Sequence, residues 1–267
     1  MASLLILMLC WSHARVKETA NSKALGQEEL NGPNPDIVAA LITAPAVIQM
    51  LGDIAGKRVV EFGRGGDCWQ RLLQRLGATC VSDDMPEQTK IPEVQVRRSK
   101  IRFATKRDTQ VVSERAADIV FMNYVLSGLS SLEDLDAAIG RARALIDGAE
   151  KRLIINDRHP FTSYLPGMSQ DQPDRYLKPG ANLDRVIMQS PEDGLYQIHP
   201  AGFHWPLQTV HELLVKHDFR LSGVQEPVPH AAIAKSFLGA GVSEYFTRFP
   251  ATLVIAAAPV QVVSSVP

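Results

Sequence analysis

Cysteine is scarce in this 267-residue chain. Its three residues, Cys10, Cys68 and Cys80, are too few and too scattered for a disulfide framework or a zinc site. That scarcity fits a reducing compartment. A charge excess of either sign is also missing, since the formal net charge is −1. A chain that lives on phosphate backbones carries a basic excess, so no nucleic-acid partner is expected. Long apolar runs are absent as well. The apolar run at residues 4–11 is too short to span a bilayer. No Lys or Arg precedes it and no clean small-x-small site follows, so a cytoplasmic chain is expected rather than a secreted one, with no membrane partner. There is no internal repeat and no low-complexity tract. With 45% hydrophobic residues, the chain can bury the core of one α/β domain with additions.

The most informative stretch is KRVVEFGRGGDCW at 57–69, continuing to CVSDDMPEQ at 80–88. Val59, Val60 and Phe62 form an apolar run that ends on Gly63-Arg64-Gly65-Gly66. Trp69, Leu72, Leu73 and Leu76 then recur at i, i+3, i+4 and i+7, one face of a helix. Gly77 stands where a helix ends. Residues 78–81 read as a second strand with Asp83-Asp84 at its carboxyl end. Glycines let a ligand approach the backbone, and free N–H groups at a helix start favour an anionic group. A carboxylate about twenty residues on can accept both hydroxyls of a ribose. Strand, glycine turn, helix, strand and acidic turn together describe a nucleoside-type cofactor site.

The rest of the chain supplies the frame. NGPNP at 31–35 is turn chemistry, and residues 1–35 read as an N-terminal extension or cap. Ile37, Ala40, Leu41 and Ala44 lie at helical spacing, with Thr43 and Pro45 restarting a helix through Leu51. Residues 85–100 read as a loop, and residues 101–105 as a strand. ADIVFMNY at 117–124 is a nearly continuous apolar run, as expected of a strand covered on both faces. A capping box from Ser130 to Glu133 opens a helix marked by Leu132, Leu135, Ile139, Ala142 and Ile146. RLIIN at 152–156 is another buried strand. Residues 157–206 break the rhythm with several prolines, three histidines and few apolar runs, and read as a functional insertion or lid. Pro206 starts a helix with Val210, Leu213, Leu214 and His217 on one face. Residues 219–224 and 252–257 are the last strands, joined by a Pro- and Gly-containing connection. Alternating strands and helices predict a doubly wound, largely parallel sheet.

On these residues the chain resembles the class I S-adenosylmethionine-dependent methyltransferases, in their small-molecule branch. VVEFGRGG is similar to the first motif, an acidic residue followed by G-x-G-x-G, and CVSDD to the acidic second strand. ADIVFMNYVLSGLSSLEDL is similar to the fourth strand and its helix, KRLIINDRHPF to the fifth strand and its loop, and TRFPATLVIAAAP to the last strand. Trp11, His13 and Ala14 resemble a W-x-H-A start upstream of this fold. The resemblance runs over residues 36–259 and leaves 260–267 as a tail. It implies a Rossmann-like seven-stranded sheet in the order 3-2-1-4-5-7-6 with the final strand antiparallel, plus an inserted lid (157–206) between strand 5 and the last helix. It also implies S-adenosyl-L-methionine as cofactor and a small-molecule substrate.

Carried over by position, the resemblance assigns Glu61, Gly63 and Gly65 to the methionine end of the cofactor. Asp84 goes to the ribose, Met85 and Asp108 to the adenine, and Asn123 and Tyr124 to the sulfonium. For a proton-bearing acceptor, His159 and His204 are the candidate bases, and Tyr164 the residue that positions the acceptor. No metal is expected. The third glycine of the motif is Asp67 here, and Arg64 replaces a small residue. These departures keep two alternatives open: the fold repurposed for a non-methylating step such as a cyclisation, and a non-catalytic interaction protein.

Overall fold

The computed structural model describes residues 39–63, 66–83, 116–161, 179–183, 186–190, 194–199, 202–230, 232, 235–236 and 240–260. A six-stranded sheet organises them, in the order β2 (Thr79–Asp83), β1 (Arg58–Gly63), β3 (Ile119–Asn123), β4 (Arg152–Arg158), β10 (Thr252–Pro259), β9 (Phe219–Gln225). β2, β1, β3 and β4 are parallel neighbours, while β10 runs antiparallel to both β4 and β9. This is the doubly wound sheet expected, with its antiparallel strand in place. The strand expected at 101–105 lies outside the described residues.

Apolar strands force this arrangement, because both of their faces must be covered. β3 is buried at all five positions. On one face Val59, Phe121 and Ile154 pack under α1 (Ala44–Leu51) and α2 (Gly66–Arg75). Trp69 of α2 meets Phe121 with ring centroids 5.1 Å apart at a tilt of 57°, a favoured aromatic geometry. On the other face Val60, Met122 and Ile155 pack under α3 (Leu132–Leu145) and α4 (Leu207–Lys216).

α2 ends as its sequence demands. Gly77 has φ 88°, its N–H bonds to the Gln74 carbonyl, and the Ala78 N–H reaches back to the Leu73 carbonyl. That pair of bonds is a Schellman cap.

Several expectations shift. The α-helix before β1 begins after Thr43, with Pro45 in its first turn and its end at Leu51, but it is not a separate start. A π-helical turn (Ala39–Thr43) runs straight into α1, and Thr43 makes no side-chain cap. Pro45 explains the widening, since it lacks an N–H and its ring crowds the carbonyl one turn back. The cap of α3 is one residue later than read: the Ser131 side chain, not that of Ser130, accepts the Asp134 N–H at 3.1 Å. Leu132 is accordingly exposed, and Ile146 is extended beyond the helix end. Pro206 is the N-cap of α4 rather than a first-turn residue, and His217 is its C-cap.

The insertion is less irregular than its prolines suggest. It contains two antiparallel pairs, β5 (Ala181–Leu183) with β8 (Gly202–His204), and β6 (Val186–Ser190) with β7 (Gly194–His199). The connection after β9 holds a helix, α5 (Ala240–Arg248), which the sequence reading passed over. No described helix is long and apolar enough to cross a membrane.

Candidate active site

β1, β3 and β4 end together at the carboxyl edge of the sheet. Gly63 pairs in register with Asn123, and Asn123 with Asn156. Ligands of open α/β sheets bind at this edge. Gly63 is exposed and has φ 101°. A Cβ built on it would stand 2.5 Å from the Asn123 carbonyl oxygen and 2.7 Å from Val125 Cγ2. Only glycine fits this position, on both backbone and packing grounds.

Glu61 is buried two residues earlier on the α1/α2 face, in register with Ser82 and Phe121. Its carboxylate is felt by Cys80 on the next strand: burial first, and Glu61 second, push that thiol up to about 12. Cys80 is therefore held as the protonated thiol and is no nucleophile at neutral pH.

Asn123 and Asn156 form a buried cross-strand pair, the Asn156 amide nitrogen donating to Asn123 Oδ1 at 2.6 Å. The Tyr124 N–H then bonds to the Asn156 carbonyl at 2.8 Å, and Tyr124 takes φ 52°. A bulky residue in the left-handed region is strained, and the bonds around it hold it there. Burial, and then the Asp157 carboxylate, push the Tyr124 phenol up, so it stays protonated.

Asp157 organises the turn that follows. Its Oδ2 accepts the Leu126 N–H at 2.8 Å, both oxygens share the Ser127 N–H at 3.3 Å, and Oδ1 accepts the Arg158 N–H at 2.7 Å. Leu126 and Ser127 open the 3-10 turn Leu126–Gly128, so the carboxylate caps that turn from β4. Burial nevertheless holds the Asp157 carboxyl above the usual carboxylate range, outweighing those N–H bonds. The same turn anchors Trp205, whose Nε1 donates to the Leu126 and Leu129 carbonyls at 2.8 and 3.2 Å.

His159 follows β4 and is 3% exposed, so its bonds decide its chemistry. Nδ1 accepts the Phe161 N–H at 3.1 Å. Nε2 therefore carries the proton and donates to Glu226 Oε1 at 2.9 Å. As arranged, neither nitrogen is open to an acceptor proton, and the expected role as base requires His159 to release Glu226. The ring stacks on Phe161 at 5.4 Å. His204, at the end of β8, is also buried. It lines a cavity of about 30 Å³ together with Asp157, His159 and Trp205, room for about one water.

Of the expected residues, Gly63, Asn123 and Tyr124 come together where β1 and β3 end, Glu61 lies two residues inside that edge, and His159 and His204 line the small cavity past β4. Gly65, Asp84, Met85, Asp108 and Tyr164 lie outside the described residues. The sequence reading missed Asn156, Asp157 and Glu226. A signal existed for the first two: polar residues that prolong an apolar strand toward a carboxyl edge. No three described His, Cys, Asp or Glu side chains group as a metal site.

No protein-family model matches the chain, and no curated protein matches it. Solved structures do. A candidate S-adenosylmethionine-dependent methyltransferase from Listeria monocytogenes superposes with a TM-score of 0.52 at 18% identity, covering 82% of this chain and 96% of the other. An S-adenosylmethionine-dependent methyltransferase from Mesorhizobium loti gives 0.51 at 18% identity, over 80% and 96%. At this identity the likeness establishes the architecture: the chain has the fold of S-adenosylmethionine-dependent methyltransferases.

Proposed function

We propose that this chain transfers a methyl group from S-adenosyl-L-methionine to an O, N or C nucleophile of a small molecule. One observation carries the reading. Residues assigned to the cofactor from two separate segments, Gly63 and Asn123, are register partners at the carboxyl edge of a methyltransferase-type sheet. The exposed Gly63 turn, which no side chain could share, fits a cofactor's close approach.

Glu61, Gly63 and Gly65 would hold the methionine end, Asp84 the ribose, and Met85 and Asp108 the adenine. S-adenosylmethionine, when bound, supplies a methyl group already activated on a sulfonium, a chemistry that needs no metal. What the protein adds is alignment: Asn123 and Tyr124, fixed by the Asn156 amide and carbonyl, define where an acceptor can lie. For an acceptor that carries a proton, His204 and Tyr164 are assigned to proton removal and positioning. His159 serves as a base only after parting from Glu226. Residues 1–35 and 157–206 are assigned to covering the substrate.

A second reading, the same fold turned to a non-methylating cyclisation, is favoured by Asp67 in the first turn of α2, where the motif has glycine. Titration of the full chain with S-adenosylmethionine in a calorimeter tests the proposal. Binding in the micromolar range, lost in Asp84→Ala, is expected; absence of binding sinks both readings. Mass spectrometry of products separates them, because only methyl transfer adds the mass of one methyl group.

A further inference from the structure

A second concavity lies at the same carboxyl edge, three to four strands away from Gly63. Its volume is about 350 Å³, within the range of small-molecule pockets. One wall is the π-helical turn and α1, with Ile42 and Gln49; the other is the end of β9 and its exit, with Gln225, Pro227, Val228 and Pro229. The two walls are anchored to the sheet. Thr43 Oγ1 meets Thr252 Oγ1 at 3.4 Å at the start of β10, and Met50 of α1 packs on Gly223 of β9. Glu226, between the lining residues of the second wall, is tied to the end of β4 by the His159 bond of 2.9 Å. The groove is therefore preformed.

Its chemistry is one-sided. None of the ten lining residues is Asp, Glu, Lys or Arg. An ionised ligand would lose its water with no counter-charge to replace it. Pro227 and Pro229 bring no backbone N–H, and the polar side chains of the lining are the Gln49 and Gln225 amides and the His230 ring. Strands lie about 4.8 Å apart, so β9 stands about 15 Å from β3.

We propose that this groove is a distal acceptor subsite. It takes the apolar, uncharged part of an elongated small molecule whose nucleophile reaches the end of β3. The assignment to an acceptor rests on the methyl-transfer reading; the groove as an apolar ligand site does not.

The test uses the full chain and Nile red, a neutral dye whose fluorescence rises in apolar surroundings. Saturable binding at one site is expected. Gln49→Trp, which fills the groove, and Val228→Asp, which places a charge in it, should each weaken that binding at least about tenfold, the order expected when an apolar contact is replaced by a buried charge or a clash. Gln49 and Val228 are both exposed, so the fold is retained, and melting curves check it. Val215→Asp, at an exposed position on α4, should leave Nile red binding unchanged. Failure of the dye to saturate, or equal affinity in all variants, overturns the proposal. S-adenosylmethionine titration of the same variants keeps the two ideas apart. If the groove variants lose the dye while no variant or parent binds S-adenosylmethionine, the ligand site stands and the methyl-transfer reading falls.

Discussion

Replacing Gly63 by Ala probes the end of β1, where the cofactor is proposed to bind. Two costs add. Ala at φ 101° is strained, at about 1–3 kcal/mol for a sparsely populated backbone region. Its Cβ would also stand 2.5 Å from the Asn123 carbonyl oxygen and 2.7 Å from Val125, so the ends of β1 and β3 must part. Overpacking of that kind costs about another 1–3 kcal/mol. For a chain of this size about 2 °C of melting temperature is lost per kcal/mol, so the variant should melt about 4–12 °C below the parent. Gly56→Ala separates the two costs. Gly56 has φ 73° but nothing within 4 Å of a built Cβ, so it reports strain alone. Thermal unfolding followed by circular dichroism should place Gly63→Ala about 2–6 °C below Gly56→Ala, the crowding part of the sum. Equal melting temperatures for the two variants would refute the argument that β1 and β3 close on this glycine.

Three further outcomes can be checked at modest effort. Ser131→Ala should cost about 1 kcal/mol in urea unfolding and Ser130→Ala less than about 0.5, because only Ser131 caps α3. At pH 8 the Cys80 peptide should be alkylated by iodoacetamide about a thousandfold more slowly in the folded than in the unfolded chain, since its thiol is pushed up to about 12 from 9.0; comparable rates would contradict its burial. Folding raises the Asp157 pKa, so its protonated form is the one favoured. That contribution is fully present below the unfolded value of 3.8 and is lost as pH rises through the folded pKa. Urea unfolding at stepped pH should show this loss in the parent and not in Asp157→Asn.

The chain announced its sheet through its apolar runs. Ile119 to Met122 needed no tertiary information, because a strand covered on both faces is apolar at every position, and Val59, Val60 and Phe62 frame β1 in the same way around the single charge of Glu61. The Gly77 stop was equally legible, since a left-handed residue is needed wherever a helix ends in that way. What stayed hidden depends on distant partners. The reading of 152–156 stopped at Asn156 because two polar residues looked like a strand end. They continue it, since Asn123 accepts from the amide of one and the Leu126 and Ser127 N–H groups bond the carboxylate of the other. His159 read as an open base because Glu226, 67 residues on, is invisible to local pattern. Helix α5 was masked by the prolines and glycines that precede it. The short pairs β5 with β8 and β6 with β7 offered too few residues for a period to emerge.

In the proposed function, S-adenosylmethionine binds where β1 and β3 end. Hydrogen–deuterium exchange of the full chain, with and without saturating S-adenosylmethionine, addresses it directly. Slower exchange is expected on adding the cofactor in the peptides that span Gly63 and Asn123-Tyr124, with β9 and β10 unchanged. Unchanged exchange at both β1 and β3 ends, or protection confined to another part of the sheet, would contradict it.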